Sequence, residues 1–340
     1  MRYLAALVVS VATLSDQVTA IQDLTIGIID FYGLSTVTQA QARDLLTFKE
    51  GDVISIGGGP PGFVAESEAR LTRLKGVASV RTAVVCCDDE GRLIVFLGLQ
   101  ETGAPTLGLR AAPTGSAMLA ADVIQAGDEF KKALRNAAVR RDASEDDSAG
   151  HALAHDPATR ATQERFIEFA ARDFDDLRRV LGESANPTQR ALAAQVLAYA
   201  ANKQSIVNDL VQAMSDPSEE VRNDAMRTLL VFARAKITPA LRVPWEPFIA
   251  LLHSPTWTDR NKASGALQAL TEDRPVELLE QLRRDALPPL IEMARWKSDG
   301  HALAAYLLLS RIAGYSEAEA VRLWKERERE VVINAALDRR

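Results

Sequence analysis

The chain has 340 residues, 47% of them apolar, which is enough to bury a sizeable core and long for a single one. Two domains plus a connector are therefore expected. The formal net charge is −6 and no segment gathers Lys and Arg on one face, which argues against a binder of phosphate backbones.

Residues 1–20 read as a secretory leader. Arg2 gives a short positive start, Tyr3 to Leu14 an apolar stretch, and Val18-Thr19-Ala20 a small-residue cleavage site. The apolar stretch is too short to span a bilayer, and no later stretch approaches a spanning length. No cysteine follows the site, so no lipid anchor is indicated, and the mature chain is expected to start at Ile21 in the periplasm or outside the cell.

Beyond the leader, Asp23 to Phe31 alternates and is rich in Ile, a strand pattern. Gly33 and Ser35 turn the chain, Thr38 caps a helix over Gln39 to Phe48, and Gly51-Asp52 ends it. A second helix is expected over Phe63 to Lys75, stopped by Gly76. Strands over Val77 to Cys87 and Arg92 to Gln100 flank an Asp88-to-Gly91 hairpin, giving the order β-α-α-β-β. The Gly57-to-Gly62 loop joins two helices and holds two prolines, the wrong context for a phosphate cradle. Cys86 and Cys87 are neighbours on a strand, where side chains point to opposite faces, so one is expected inside and one exposed; a vicinal disulfide or redox role is the alternative.

Ile28-Ile29-Asp30-Phe31-Tyr32-Gly33, Gly51-Asp52, Arg70 to Val77 and Gly91-Arg92-Leu93 to Glu101 carry a likeness. With the element order, residues 21–101 resemble the POTRA family, the small periplasmic modules of outer-membrane assembly, two-partner secretion and some division proteins. No run of alternating strands comes after them that would build a barrel. The resemblance implies that the second strand lies at the sheet edge, where another chain can extend it. Arg81, Ala83, Val84, Val85, Cys86 and Cys87 are the expected partner-binding residues, since this apolar run carries none of the Lys, Pro or bulges that usually blunt an edge.

Gly103, Pro105, Gly108, Pro113 and Gly115 mark residues 102–116 as a linker. Residues 117–141 read as one long amphipathic helix, with Leu119, Val123, Phe130 and Leu134 near one face, that braces or caps the helices beyond it. The acidic stretch next in the chain reads as a mobile polar linker, 142–158. Within it His151 and His155 are four apart, a zinc-site spacing if helical, but the run H-A-L-A-H lacks a zinc protease's glutamate, and two surface histidines are the simpler expectation.

Residues 159–330 read as paired helices. Asp216-Pro217 stops one helix and opens the next, with Asp as the cap and Pro at the first helical position, ahead of Val221, Arg222, Ala225 and Leu229. The frame recurs as Asn186-Pro187 with Arg190, Ala193 and Leu197, as Ser254-Pro255 with Arg260, Ala263 and Leu267, and weakly as His301, Ala304 and Leu308. The anchors Arg190, Arg222, Arg260 and His301 are 32, 38 and 41 residues apart, and paired-helix units of that length must stack to bury their apolar faces. Asp173 to Ala313 resembles the HEAT-repeat family, with Asn186 and Ser254 in place of the turn Asp, the first Arg two residues early, and His301 where Arg is expected. The resemblance implies a structural ladder of Asp and Arg in which Asp216 and Arg222 are scaffold; Pro217, Arg190 and Arg260 are the further structural anchors of the recurring frame. A heavily charged terminal helix is expected over Glu317 to Glu330.

The fold class is thus a small α+β domain followed by an all-α helical-repeat solenoid, mostly α. Trp245 and Trp257 fall in one repeat and are read as an aromatic contact surface or as inter-repeat packing. No catalytic triad, Cys-His pair or metal cluster of credible spacing occurs, so no catalytic, cofactor or metal residue is expected. The leading expectation is an exported, non-catalytic adaptor with protein partners and no nucleic acid. The alternative is an enzyme or enzyme-associated factor, of the HEAT-like lyase type or metal-dependent, with its site in the solenoid cleft. A cluster of ionisable groups in a deep pocket favours the enzyme; a shallow open groove favours the adaptor.

Overall fold

The computed structural model describes residues 22–56, 62–140, 142–235 and 240–338. The expected leader and most of the glycine-rich loop lie outside the described residues. A four-stranded sheet module comes first and helices come after it, an α+β domain with a helical region.

The sheet module contains β1 (Gln22–Tyr32), α1 (Gln39–Arg43), β2 (Val53–Ile56), α2 (Gly62–Leu71), β3 (Val77–Cys86) and β4 (Leu93–Glu101). The expected order lacked β2, although Val53-Ile54-Ser55-Ile56 carries a short period-two signal. Strand order is β2-β1-β4-β3, with β1 and β4 parallel and both outer pairs antiparallel. Thr38 caps α1 in a capping box with Gln41, but the α-helix stops at Arg43. The Leu45 and Leu46 amides bond three residues back, a tightened turn that still lays both side chains on the core. That core joins Ile26, Ile29, Phe31, Val80, Val95, Leu97 and Leu99 of the sheet to Ala42, Phe48 and Leu71.

Two compact units emerge, and they do not coincide with the linear segments. One consists of Leu107–Leu251 with Lys262–Asp273. It holds α3 (Ala121–Val139), the two-residue strands β5 (Glu145–Asp146) and β6 (Leu153–Ala154), α4 (Pro157–Arg172), α5 (Phe174–Glu183) and α6 (Pro187–Leu197). It continues with α7 (Val207–Ala213), α8 (Glu219–Arg234), α9 (Glu246–Leu251) and the later turns of α10 (Trp257–Leu270). Within it α5 packs on α6, α7 on α8 and α6 on α8. α3 lies close on α6 at Gly127, where a β-carbon would stand 2.7 Å from a terminal methyl of Leu192. The acidic stretch is not a loose linker: β5 and β6 form a hairpin on α4. The Gly/Pro-rich stretch is also ordered. The Arg110 amide donates to the Ser215 carbonyl (2.7 Å) and the Gly115 amide to the Glu183 carbonyl (2.9 Å).

The second unit adds Leu252–Asn261 and the chain after 274 to the sheet module. Its later helices are α11 (Val276–Asp285), α12 (Leu287–Ala294), α13 (Asp299–Ala313), α14 (Glu317–Lys325) and α15 (Arg329–Asp338). The expected single terminal helix is split at Arg327, whose φ of 64° ends α14, with the Glu328 amide on the Leu323 carbonyl. α15 then buries Val332, Ile333 and Ala336.

The sheet therefore has covers on both faces. On the side away from α1 and α2, Phe96 stacks on Trp257 (centroids 5.2 Å apart) and tilts against Trp296 (4.9 Å). Gly98 lets the backbone at Pro255 approach, since a β-carbon there would meet the Pro255 carbonyl oxygen at 2.1 Å. Tyr32 donates to that same oxygen (2.8 Å), and the Lys297 amide donates to buried Asp30 (2.8 Å).

Candidate functional site

The expected anchor residues centre on a buried ion cluster at Asp216. Asp216 is fully buried and accepts from Arg190 through both oxygens (2.7 and 2.9 Å), from Arg110 (2.7 Å) and from the Ser218 amide (2.9 Å). Burial pushes its carboxyl up, but the Arg190 and Arg110 guanidinium groups outweigh this and hold it below the usual range. The Asp216-Pro217 expectation is corrected in one respect: Ser218 is the N-cap and α8 starts at Glu219. Asp216 makes an Asx turn instead, and Pro217 precedes the cap. At Asn186-Pro187 the expected geometry is present, with Asn186 capping and Pro187 in the first turn. Arg222 donates to the carbonyls of Asp216 (2.9 Å) and Pro217 (3.3 Å). Arg260 donates to the Ser254 carbonyl (2.7 Å) and to Glu292 (2.9 Å), which also accepts from the Gly33 and Leu34 amides.

The helical unit carries a second set of charges, none of them among the site residues expected from the sequence. Asp224, Arg227, Thr228 and Val231 of α8, Gln163 of α4, Tyr199 and Phe130 line a narrow cavity of about 20 Å³, room for a water molecule. The hairpin brings Glu145 onto Arg227 as a close ion pair, with Gln163 donating to Glu145 at 3.3 Å. Gln163 also accepts from the Ala154 amide (2.6 Å), and Tyr199 donates to the Ala152 carbonyl (2.8 Å), which pin the hairpin in place. Burial, then the charge of Glu220, pushes the Asp224 carboxyl up to about 7. Burial, then the charge of Arg227, pushes the Lys262 ammonium down to about 8. The sequence did hold a signal: Glu220, Asp224, Arg227 and Arg234 recur at helical spacing on the face of α8 away from Val221, Ala225 and Leu229.

No protein-family model matches the chain, and no curated protein matches it. What it does must therefore be argued from its own residues. Among the described residues no helix is long and apolar enough to cross a membrane, and no group of three or more His, Cys, Asp or Glu is arranged to hold a metal. His151 and His155 flank β6 and are not on a helix, so they share no helical face; His151 lies on Tyr199 (5.1 Å) and His155 is exposed.

The expected partner edge is β3, which among the described residues pairs with β4 alone. Arg81 and Cys86 are exposed, Ala83 and Val84 half-buried, and Val85 buried. The Thr82 amide donates to Glu68 of α2 (2.7 Å) and not across the ladder, so the even-numbered residues 80, 82, 84 and 86 turn their backbone groups outward. Cys86 and Cys87 are joined by a disulfide, with Cα atoms 3.1 Å apart. The opposite-face expectation fails because β3 ends at Cys86, leaving Cys87 outside the pleat. Trp257 is 1% exposed beneath Phe96, so it is core and not contact surface, while Trp245 is half-buried ahead of α9.

Proposed function

We propose that the chain is an exported, non-catalytic adaptor that binds other proteins, with a POTRA-like sheet module and HEAT-like helical pairs. The observation that carries this reading is the edge of β3, on which no strand pairs among the described residues and whose outward backbone groups at Val84 and Cys86, beyond the Thr82 amide that Glu68 of α2 takes, suit an added strand from a partner. The Asp–Arg ladder of the helical unit supports the repeat reading. Val84→Pro removes one outward amide, a change an edge tolerates, whereas Val85→Pro removes one that faces β4. Val84→Pro is expected to fold and to lose the protein crosslinked to wild type in cells; Val85→Pro is expected to lower the melting temperature by several degrees. A folded Val84→Pro protein that keeps every wild-type partner removes the edge from the proposal.

Export is tested separately. Protein recovered from the native cell is expected to begin at Ile21, and an intact Met1 on a cytosolic form contradicts it.

One observation favours an enzyme: the Asp224 carboxyl, shifted up to about 7 chiefly by burial, lines a cavity in the helical unit. The cavity there, about 20 Å³, fits a water and not a substrate, so binding is the preferred reading.

A further inference from the structure

Cys86 and Cys87 are the only cysteines in the chain, and they are bonded to each other. A disulfide stabilises a fold by closing a loop of the unfolded chain, and its contribution grows with the length of that loop. Neighbouring residues close the shortest loop a chain allows, so this bond ties no two elements together. It joins Cys86, the last residue of β3, to the first residue beyond it. The turn toward β4 has ties of its own. The Asp88 amide donates to the Arg92 carbonyl (2.8 Å), and the Asp88 carboxylate accepts from the Arg92 amide (2.8 Å) and guanidinium (2.9 Å). The bond thus adds little to the fold, and with no third thiol in the chain its only exchange chemistry is with another molecule.

Access to the two sulfurs is uneven. Cys86 is exposed, on the edge of β3 where no strand pairs among the described residues, and Cys87 is half-buried. An incoming thiolate therefore meets the Cys86 sulfur first and expels that of Cys87. The charge beside the bond selects among thiols. Asp88, Asp89 and Glu90 follow Cys87 directly, and the Arg92 guanidinium, which pairs with Asp88 and Glu90, offsets one of them. The turn keeps two negative charges in excess. They repel an anionic thiolate and favour a thiol carried beside positive charge.

We propose that the Cys86–Cys87 bridge is a thiol–disulfide exchange site for a dithiol carried on a positively charged protein surface. The first thiolate of that dithiol attacks the Cys86 sulfur. A mixed disulfide forms, the Cys86–Cys87 bond breaks, and the departing Cys87 thiolate takes up a proton. The second thiolate then attacks the dithiol's own sulfur in the mixed disulfide and releases Cys86, which is protonated in turn. The dithiol has become a disulfide, and its two electrons and two protons have reduced Cys86 and Cys87 to thiols. The site stands on the bond and its surroundings and does not depend on the adaptor reading.

The test uses the whole chain, with maleimide uptake after an acid quench read by mass spectrometry. Untreated protein is expected to take up none, and native protein treated with dithiothreitol to take up one on each cysteine. Free thiols that persist after mild oxidation, or a bridge that dithiothreitol opens only in urea, overturn the site. Cysteamine, mercaptoethanol and mercaptoethanesulfonate, which carry a cation, no charge and an anion beside the thiol, are then compared at equal thiolate concentration. Cysteamine is expected to open the bridge roughly fivefold faster than the sulfonate at low salt, and the gap to shrink at about 0.5 M salt. Its first adduct is expected on Cys86. An adduct on Cys87 overturns the order of attack, and equal rates overturn the positively charged dithiol. Asp89→Asn with Glu90→Gln is expected to narrow the gap and leave the thiol count unchanged. A gap that these changes do not narrow removes the turn's carboxylates from the proposal.

Discussion

Asp216→Ala is expected to destabilise the helical unit by roughly 3–5 kcal/mol, the usual result of stranding a buried charge. Arg190 is 2% exposed and places two of its donors on Asp216, so removing the carboxylate leaves its guanidinium without the counter-ion that makes its burial tolerable. Its bond to the Ser184 carbonyl, at 2.8 Å, does not neutralise it. The Ser218 amide at the start of α8 also loses its acceptor. Arg110 is partly solvated and can turn to water, so Arg110→Ala is expected to cost only about 1–2 kcal/mol. Urea denaturation of the three proteins checks the order. An Asp216→Ala midpoint equal to wild type would mean that the ladder does not hold the repeats.

Glu101 is expected to dominate the acid stability of the sheet unit. It is buried at the end of β4 and accepts from three amides and two hydroxyls of Ser35, Thr36 and Val37. Burial pushes its carboxyl up, but the Thr36 and Ser35 hydrogen bonds, with that of the Val37 amide, outweigh this and bring it down to about 2. Because the folded value lies below the unfolded one, the stabilisation is fully present above about pH 4.5 and is lost as pH falls through about 2. The shift corresponds to roughly 3 kcal/mol. Glu101→Gln should therefore lie roughly 2–3 kcal/mol below wild type at pH 7 and approach it near pH 2. A gap that stays constant over that range would show that the charge is not what organises the loop. The loop matters beyond itself, because its Gly33 and Leu34 amides continue onto Glu292 of α12.

The elements legible in the sequence were those whose signal is local. Thr38 and Asn186 cap the helices expected of them, and the Arg190, Arg222 and Arg260 frame marks positions that are buried and tied to turn carbonyls. Apolar alternation located β1, β3 and β4 to within a residue or two. β2 escaped because four residues carry too little pattern to separate a strand from a loop. The split after Lys325 escaped because a left-handed Arg327 has no glycine to announce it.

What only the tertiary structure decided are the contacts between residues far apart in the chain. The sequence by itself determined helical pairs, a sheet module and the turn anchors, through capping, periodicity and turn chemistry that act over a few residues. It held no sign that Trp257 would stack on Phe96, or that Arg110 in a Gly/Pro-rich stretch would join Arg190 on Asp216. Nor did it show that an acidic stretch would fold back to set Glu145 on Arg227. Those side chains read as surface charge in one dimension because burial depends on what the rest of the chain places over them.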